Sequence, residues 1–127
     1  MPDQNEPLDL KGALKRAMGD TAFLQMMYDE FQQMLPDNIA RMAQACDARE
    51  MGLLARQAHQ LKGSAANLGA NEIAAAALQL EQSANAGAVD QAAATLAALK
   101  CAAGTLHTRL CGVDWGALAA ADEENTK

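Results

Sequence analysis

Aromatic residues are almost missing from this chain: one Trp, one Tyr and two Phe, 3% of 127 residues. A core must therefore be built from Leu, Met, Ala and Ile. β-branched residues are scarce as well, Gly and Pro are few, and Ala and Leu dominate, a balance that favours helix over strand. Positive charge is also in deficit. Ten Lys and Arg stand against 16 Asp and Glu, for a formal net charge of −6, so a duplex or an anionic membrane would repel the chain. No run of about 20 apolar residues is present to cross a bilayer. The opening stretch MPDQNEPLDL has neither the basic start nor the apolar core of a signal peptide. Cysteine is limited to Cys46, Cys101 and Cys111. An odd count without a CxxC pair argues against a disulfide framework and for a cytoplasmic, reducing setting. All three are expected to be small core or boundary residues. No His and Cys share ligand spacing, so no metal site is expected.

What the chain does have is helical periodicity. Leu10, Leu14 and Met18 repeat at i, i+4, i+8, predicting a short helix over Leu8 to Met18, ended by Gly19-Asp20. From Thr21, Leu24, Met27, Phe31, Met34 and Leu35 form one stripe, which Ile39, Met42 and Cys46 continue in phase past Pro36. That predicts one helix kinked at Pro36 rather than two helices. A third helix is expected to reach Leu68, with Gly69 ending it in a left-handed conformation. A fourth starts near Asn71, with Ile73, Ala77, Leu80 and Ala84 inward and Gly87 as its stop. A fifth covers Val89 to Leu110, with Leu96, Leu99, Ala103, Leu106 and Leu110 inward. Four long amphipathic helices on short connections predict an all-α, up-down-up-down antiparallel four-helix bundle with a short extra N-terminal helix. The expected organisation is an N-terminal tail (1–7), the bundle domain (8–111) and an acidic, flexible C-terminal tail (112–127) ending in DEENTK. Trp115 is expected to pack back onto an apolar patch. The tails favour a free-standing protein, and a core that closes on itself favours a monomer.

The stretch ARQAHQLKGSAANLGA, Ala55 to Ala70, carries the chemistry. A lone histidine in an apolar helix is most often a satisfied core residue. Here Leu54, Leu61, Ala65 and Leu68 lie about 180–240° around the helix from His59, so His59 points away from the core. Its neighbours on that face are small (Ala55, Gly63, Ala66) or cationic (Arg56, Lys62). A mid-helix glycine costs about 1 kcal/mol against alanine. Gly63 gives up that stability one turn beyond His59, where it clears space for close approach by a partner. Neutral imidazole can attack phosphorus and hold it as a phosphoramidate. Phosphoryl transfer asks the protein chiefly for positioning and charge neutralisation, and Lys62, at i+3, is in reach of the phosphoryl oxygens. A nucleophile and a cation with no general acid and no nucleotide loop suit a carrier without kinase activity of its own. Ala55, Arg56, Gln60 and Ala66 are the expected binding surface around His59, Lys62 and Gly63. His107 has no comparable neighbours and is expected to be a boundary residue. A metal-binding bundle would need a second ligand at i±3 or i±4 from His59, where Ala55, Arg56, Lys62 and Gly63 stand. The competing reading is a scaffold bundle in which His59 is inert.

The run Ala58-His59-Gln60-Leu61-Lys62-Gly63-Ser64-Ala65-Ala66-Asn67-Leu68-Gly69-Ala70 resembles the signature AHxLKG-(S/A)-x-x-x-LGA of the histidine phosphotransfer (HPt) domains of bacterial two-component phosphorelays. The resemblance takes in Met18-Gly19-Asp20, Phe23-Leu24 and Phe31 upstream, and Leu80-Glu81 and Ala86-Gly87 downstream. It implies phosphorylation of His59, through Nε2, with Lys62 stabilising the phosphoryl group and Gly63 giving access. It further implies a response-regulator receiver domain or a hybrid sensor histidine kinase as partner. The receiver would supply the aspartate and Mg²⁺, so that the chain itself needs no cofactor. Many members of the family place a glutamine on the neighbouring helix near the histidine. Gln79, Glu81 and Gln82 occupy that region here, and the sequence does not choose among them. Histidine-kinase dimerisation helices usually carry an acidic residue directly after their histidine, where this chain has Gln60.

Overall fold

The computed structural model describes residues 8–118, which form helices and no strand. The chain runs through α1 (Leu10–Arg16), α2 (Thr21–Asp47), α3 (Met51–Asn67), α4 (Asn71–Asn85) and α5 (Val89–Cys111). One further helical turn covers 115–118. The terminal stretches expected to be tails, 1–7 and the final DEENTK, lie outside the described residues.

Asp20 starts α2 by accepting a hydrogen bond from the Phe23 N–H at 3.0 Å, and Asp9 does the same for α1 through Gly12. Each satisfies one of the donors left open at a helix start. α2 passes through Pro36 as one helix, as its unbroken apolar phase predicts. The long helices pack in a ring: α2 against α3 and α5, α4 against α3 and α5, with α1 laid on α2. The core holds Leu24, Phe31, Leu35, Ile39 and Met42 of α2, Leu54, Leu61 and Ala65 of α3, Ile73, Ala77 and Leu80 of α4, and Leu96, Leu99, Leu106 and Leu110 of α5.

The connections between the long helices are three residues each and share one geometry. In Ala48–Glu50, Leu68–Ala70 and Ala86–Ala88, the middle residue is left-handed: Arg49 at φ 57°, Gly69 at 68° and Gly87 at 69°. Its N–H returns to one carbonyl of the last turn and the next N–H to the carbonyl before that, as with Gly69 to Ala66 (3.1 Å) and Ala70 to Ala65 (2.8 Å). These are Schellman caps, and Gly69 and Gly87 stand where the sequence places them. Arg49 is the exception, because a left-handed conformation costs a residue with a Cβ about 1–2 kcal/mol. Arg49→Gly is therefore expected to raise stability in urea denaturation by about 0.5–1 kcal/mol. An unchanged or lowered midpoint would mean that the Arg49 side chain contributes more than the strain costs.

Several expectations are corrected. Met18 is not inward but 92% exposed. α1 ends at Arg16, and Met18 is the left-handed residue of its cap, at φ 59°, which takes it out of helical phase. Met34 is exposed and Met27 half-buried, because the α2 stripe centres on Leu24, Tyr28, Phe31 and Leu35 and leaves both methionines on its edges. On α5 the inward phase selects Ala102, and Ala103 is only half-buried. The same phase leaves Cys101 and Cys111 exposed, and of the three cysteines only Cys46 is buried. Trp115, by contrast, packs back as expected. The Trp115 ring lies 6.0 Å from that of Tyr28 at 45°, and Trp115 and Leu118 pack against the core.

Candidate functional site

The site is built on α3, and the end of α3 is unusually well fastened. The last carbonyls of a helix lack partners inside it. Here Arg16 donates from Nε to the Asn67 carbonyl at 2.7 Å and from Nη2 to that of Ala66 at 3.2 Å. The Tyr28 hydroxyl donates to the Leu68 carbonyl, and the Asp9 N–H to that of Gly69 at 2.7 Å. A cation at this end also opposes the negative pole of the helix dipole. Burial holds the Tyr28 phenol above its ordinary pKa, so it stays a hydrogen-bond donor. A side chain at Gly69 would collide with the Asp9 carbonyl, its Cβ falling 2.2 Å from that oxygen. The residue is thus required twice, for its positive φ and for this contact.

His59 sits on the outer face of α3, its side chain 64% exposed. Opposite it on the helix, Leu54, Leu61, Ala65 and Leu68 are all buried. Arg56, Gln60, Gly63 and Ala66 are exposed around it. Ala55 is the correction: at 8% exposure it belongs to the core. α4 packs along that side of α3, so the buried arc reaches round through Ala58 to Ala55 and covers a position that the wheel leaves facing out.

α4 also supplies what the sequence left open. Glu81 accepts from Nδ1 of His59 through Oε2 at 2.9 Å and from Nζ of Lys62 through Oε1 at 3.0 Å. Its side chain is 19% exposed and that of Lys62 31%, so the bridge lies at the rim of the bundle. Gln79 and Gln82 line a separate hollow with Gln91 and Thr95 of α5, on the other flank of α4. Register between helices is what makes this choice, and helical periodicity does not carry it.

The hydrogen bond from Lys62 is the largest effect on the Glu81 carboxyl and holds it below its ordinary pKa of 4.5; burial opposes it, and the hydrogen bond from His59 adds a lesser lowering. Glu81 is therefore an ionised acceptor at neutral pH. An ionised carboxylate has no proton to donate, so the ring N–H of a neutral His59 lies on Nδ1 and the lone pair on Nε2. The arrangement is an exposed imidazole whose Nδ1 is held by a carboxylate, with an ammonium one turn along on the same carboxylate. Gly63 meets nothing within 4 Å of an added Cβ, so the folded chain sets no steric requirement for glycine there.

On the α2 side, Met34, Arg41, Gln57, Gln60 and Ser64 line a hollow of about 250 Å³. His107 is exposed on α5, with Nδ1 2.8 Å from Gln32 Oε1 and Cys111 Sγ 3.7 Å from its Nε2. Among the described residues it forms no ion pair, although Asp29 and Lys100 line the same hollow between α2 and α5. Among the described residues no three His, Cys, Asp or Glu side chains converge as a metal site would require, and no helix is long and apolar enough to cross a membrane.

A family model, the Hpt domain, matches residues 26–110, from within α2 to the end of α5, and so includes His59, Lys62, Gly63 and Glu81. No curated protein and no solved structure gives a significant match to the chain.

Proposed function

Because the chain belongs to the Hpt domain family, whose members serve histidine phosphotransfer in phosphorelays, we propose that His59 is its phosphoryl carrier and that Nε2 is the reacting atom. The partner is the receiver domain of a response regulator or of a hybrid kinase, which brings an aspartyl phosphate and Mg²⁺. The Nε2 lone pair forms the N–P bond as the acyl-phosphate P–O bond breaks, and the electron pair leaves on the aspartate oxygen. Transfer onward is the reverse. Lys62 neutralises the phosphoryl oxygens as a point charge, and Arg56 adds positive potential one turn upstream. Gly63 and Ala66 keep the approach to Nε2 low, and Gln60 with the hollow beside Met34 offers the partner a contact surface.

The observation that carries this reading is the His59–Glu81 contact on an exposed face. It engages Nδ1 of a side chain that is 64% exposed, through the same carboxylate that holds Lys62. A histidine serving only packing would be covered, and the other exposed histidine, His107, meets the neutral amide of Gln32 rather than a carboxylate shared with a cation.

The test is transfer from a receiver domain phosphorylated on its aspartate by a small-molecule donor. The label is followed by its acid and base stability and located by peptide mass spectrometry. An acid-labile, base-stable phosphoryl group on the peptide containing His59 is expected. No label from several receivers, or label on the peptide containing His107, would overturn the assignment.

A further inference from the structure

The second histidine also stands among ordered partners, on the opposite edge of the bundle. His59 and Glu81 meet where α3 packs on α4, and His107 and Gln32 meet where α5 packs on α2. Gln32 Oε1 lies 2.8 Å from Nδ1 of His107. An amide oxygen only accepts, so in the neutral ring the hydrogen lies on Nδ1 and the lone pair on Nε2. That nitrogen is 3.7 Å from Cys111 Sγ, one turn along α5. Gln32 is half-buried, whereas His107 and Cys111 are exposed. An amide, an imidazole and a thiol thus stand in series, with a proton acceptor turned to a sulfur that solvent reaches.

The chain carries its own comparison. Cys101 is exposed on the same helix, but Ala97, Ala98, Gly104 and Thr105 hold the positions one turn from it, and none of them is a base. Cys46 is buried, its Sγ 3.9 Å from the Val89 carbonyl oxygen. Exposure is thus shared by two of the three cysteines, whereas an imidazole acceptor belongs to Cys111 alone among the described residues.

We propose that Cys111 is a modification site whose thiol, activated by His107, exchanges with small disulfides and carries the product as a mixed disulfide. The attacking species in such an exchange is the thiolate. The Cys111 proton passes to Nε2 of His107, which becomes an imidazolium. Gln32 holds its Nδ1–H throughout, and the negative pole at the end of α5 favours the cation. The Cys111 sulfur then attacks one sulfur of the disulfide. A new S–S bond forms as the old one breaks, and the electron pair leaves on the second sulfur. That thiolate takes the proton back from His107 and departs as a thiol. The small disulfide is the oxidant, and the exchange balances without another. A small thiol reverses it, so the modification is a removable cap. No step involves His59.

The experiment exposes the full chain at neutral pH to glutathione disulfide and, in a separate series, to iodoacetamide. The three cysteine peptides are followed in time by mass spectrometry. A free thiol is only a few per cent ionised near neutral pH, which leaves room for a gain of about tenfold where an acceptor takes the proton. Cys111 is therefore expected to react about tenfold faster than Cys101 with both reagents, with Cys46 unmodified in the folded protein. Dithiothreitol is expected to remove the glutathione adduct and leave the alkylated peptide unchanged. His107→Gln, checked for folding by its melting curve, keeps Cys111 exposed but removes the base, and is expected to bring Cys111 down to the rate of Cys101. Equal rates at Cys111 and Cys101 in the parent chain would overturn the proposal. So would a lead of Cys111 that survives His107→Gln, which would trace its reactivity to exposure alone. Fast alkylation without any glutathione adduct would overturn the assignment of a disulfide as the reacting class.

Discussion

His59→Gln is expected to take no measurable phosphoryl group from a phosphorylated receiver, a loss of about a thousandfold or more, while remaining as stable as the parent chain. The loss is near-complete because a glutamine amide nitrogen has no available lone pair, and the remaining charged groups at the site are an ammonium and a carboxylate already paired with each other. Removing a nucleophile leaves only the binding and charge effects of its surroundings. Stability is expected to hold because the side chain is mostly exposed and its single polar partner, Glu81, keeps Lys62. Surface substitutions of this kind usually change stability by no more than about 0.5 kcal/mol. Labelling and urea denaturation on the same preparations measure both quantities. Residual transfer at a tenth of the parent rate would place the chemistry on another residue. A large drop in stability would mean that the His59–Glu81 contact is part of the framework.

Gly63 separates folding from function more sharply, because the two effects are expected to have opposite signs. Nothing lies within 4 Å of the place where its Cβ would stand, so a side chain there meets no resistance from the bundle. Gly63→Ala and Gly63→Leu are both expected to stabilise the isolated protein, by about 0.5–1 kcal/mol, through helix propensity alone. Gly63→Leu also raises a branched side chain one turn from His59, on the face that the proposed receiver docking would use. A displacement of about 1 Å at a reacting centre can cost about a hundredfold in rate, and Gly63→Leu is expected to lose about that much in transfer. Gly63→Ala falls between it and the parent. Stopped transfer with raised stability would identify the glycine as an access residue. An unimpaired Gly63→Leu would show that the partner docks from another side.

The elements that were legible in the sequence are those fixed by local pattern. The leucines of α3 set its core side, and with it the exposure of His59. The phase of α2 carries it through Pro36, and Gly69 and Gly87 mark their turns. What was hidden depends on how helices sit against one another. Ala55 lies on the His59 side of its own helix and is buried only because α4 comes close there. Glu81 follows Leu80 on α4, and nothing in its spacing separates it from Gln79 or Gln82; only the register of α4 on α3 does. Tyr28 fell within the α2 stripe but escaped notice as a core residue, since a phenol in so apolar a core needs a partner, and that partner is a backbone carbonyl of Leu68, 40 residues away. The i, i+4, i+8 repeat through Met18 outlasts the helix itself, which ends two residues earlier at Arg16.

The fastening of α3 has a mechanical consequence. Its terminal carbonyls are gripped from Asp9, Arg16 and Tyr28, and the first two lie ahead of residue 26, where the match to the family begins. The nucleophile and the brake on its axial travel thus belong to different parts of the chain. A fragment cut at the family boundary would retain His59, Lys62 and Glu81 and forfeit two of the three grips that stop α3 from sliding lengthwise past α4. Since Glu81 reaches His59 across that sliding plane, Asp9 and Arg16 act as a thrust bearing for a pairing in which neither takes part.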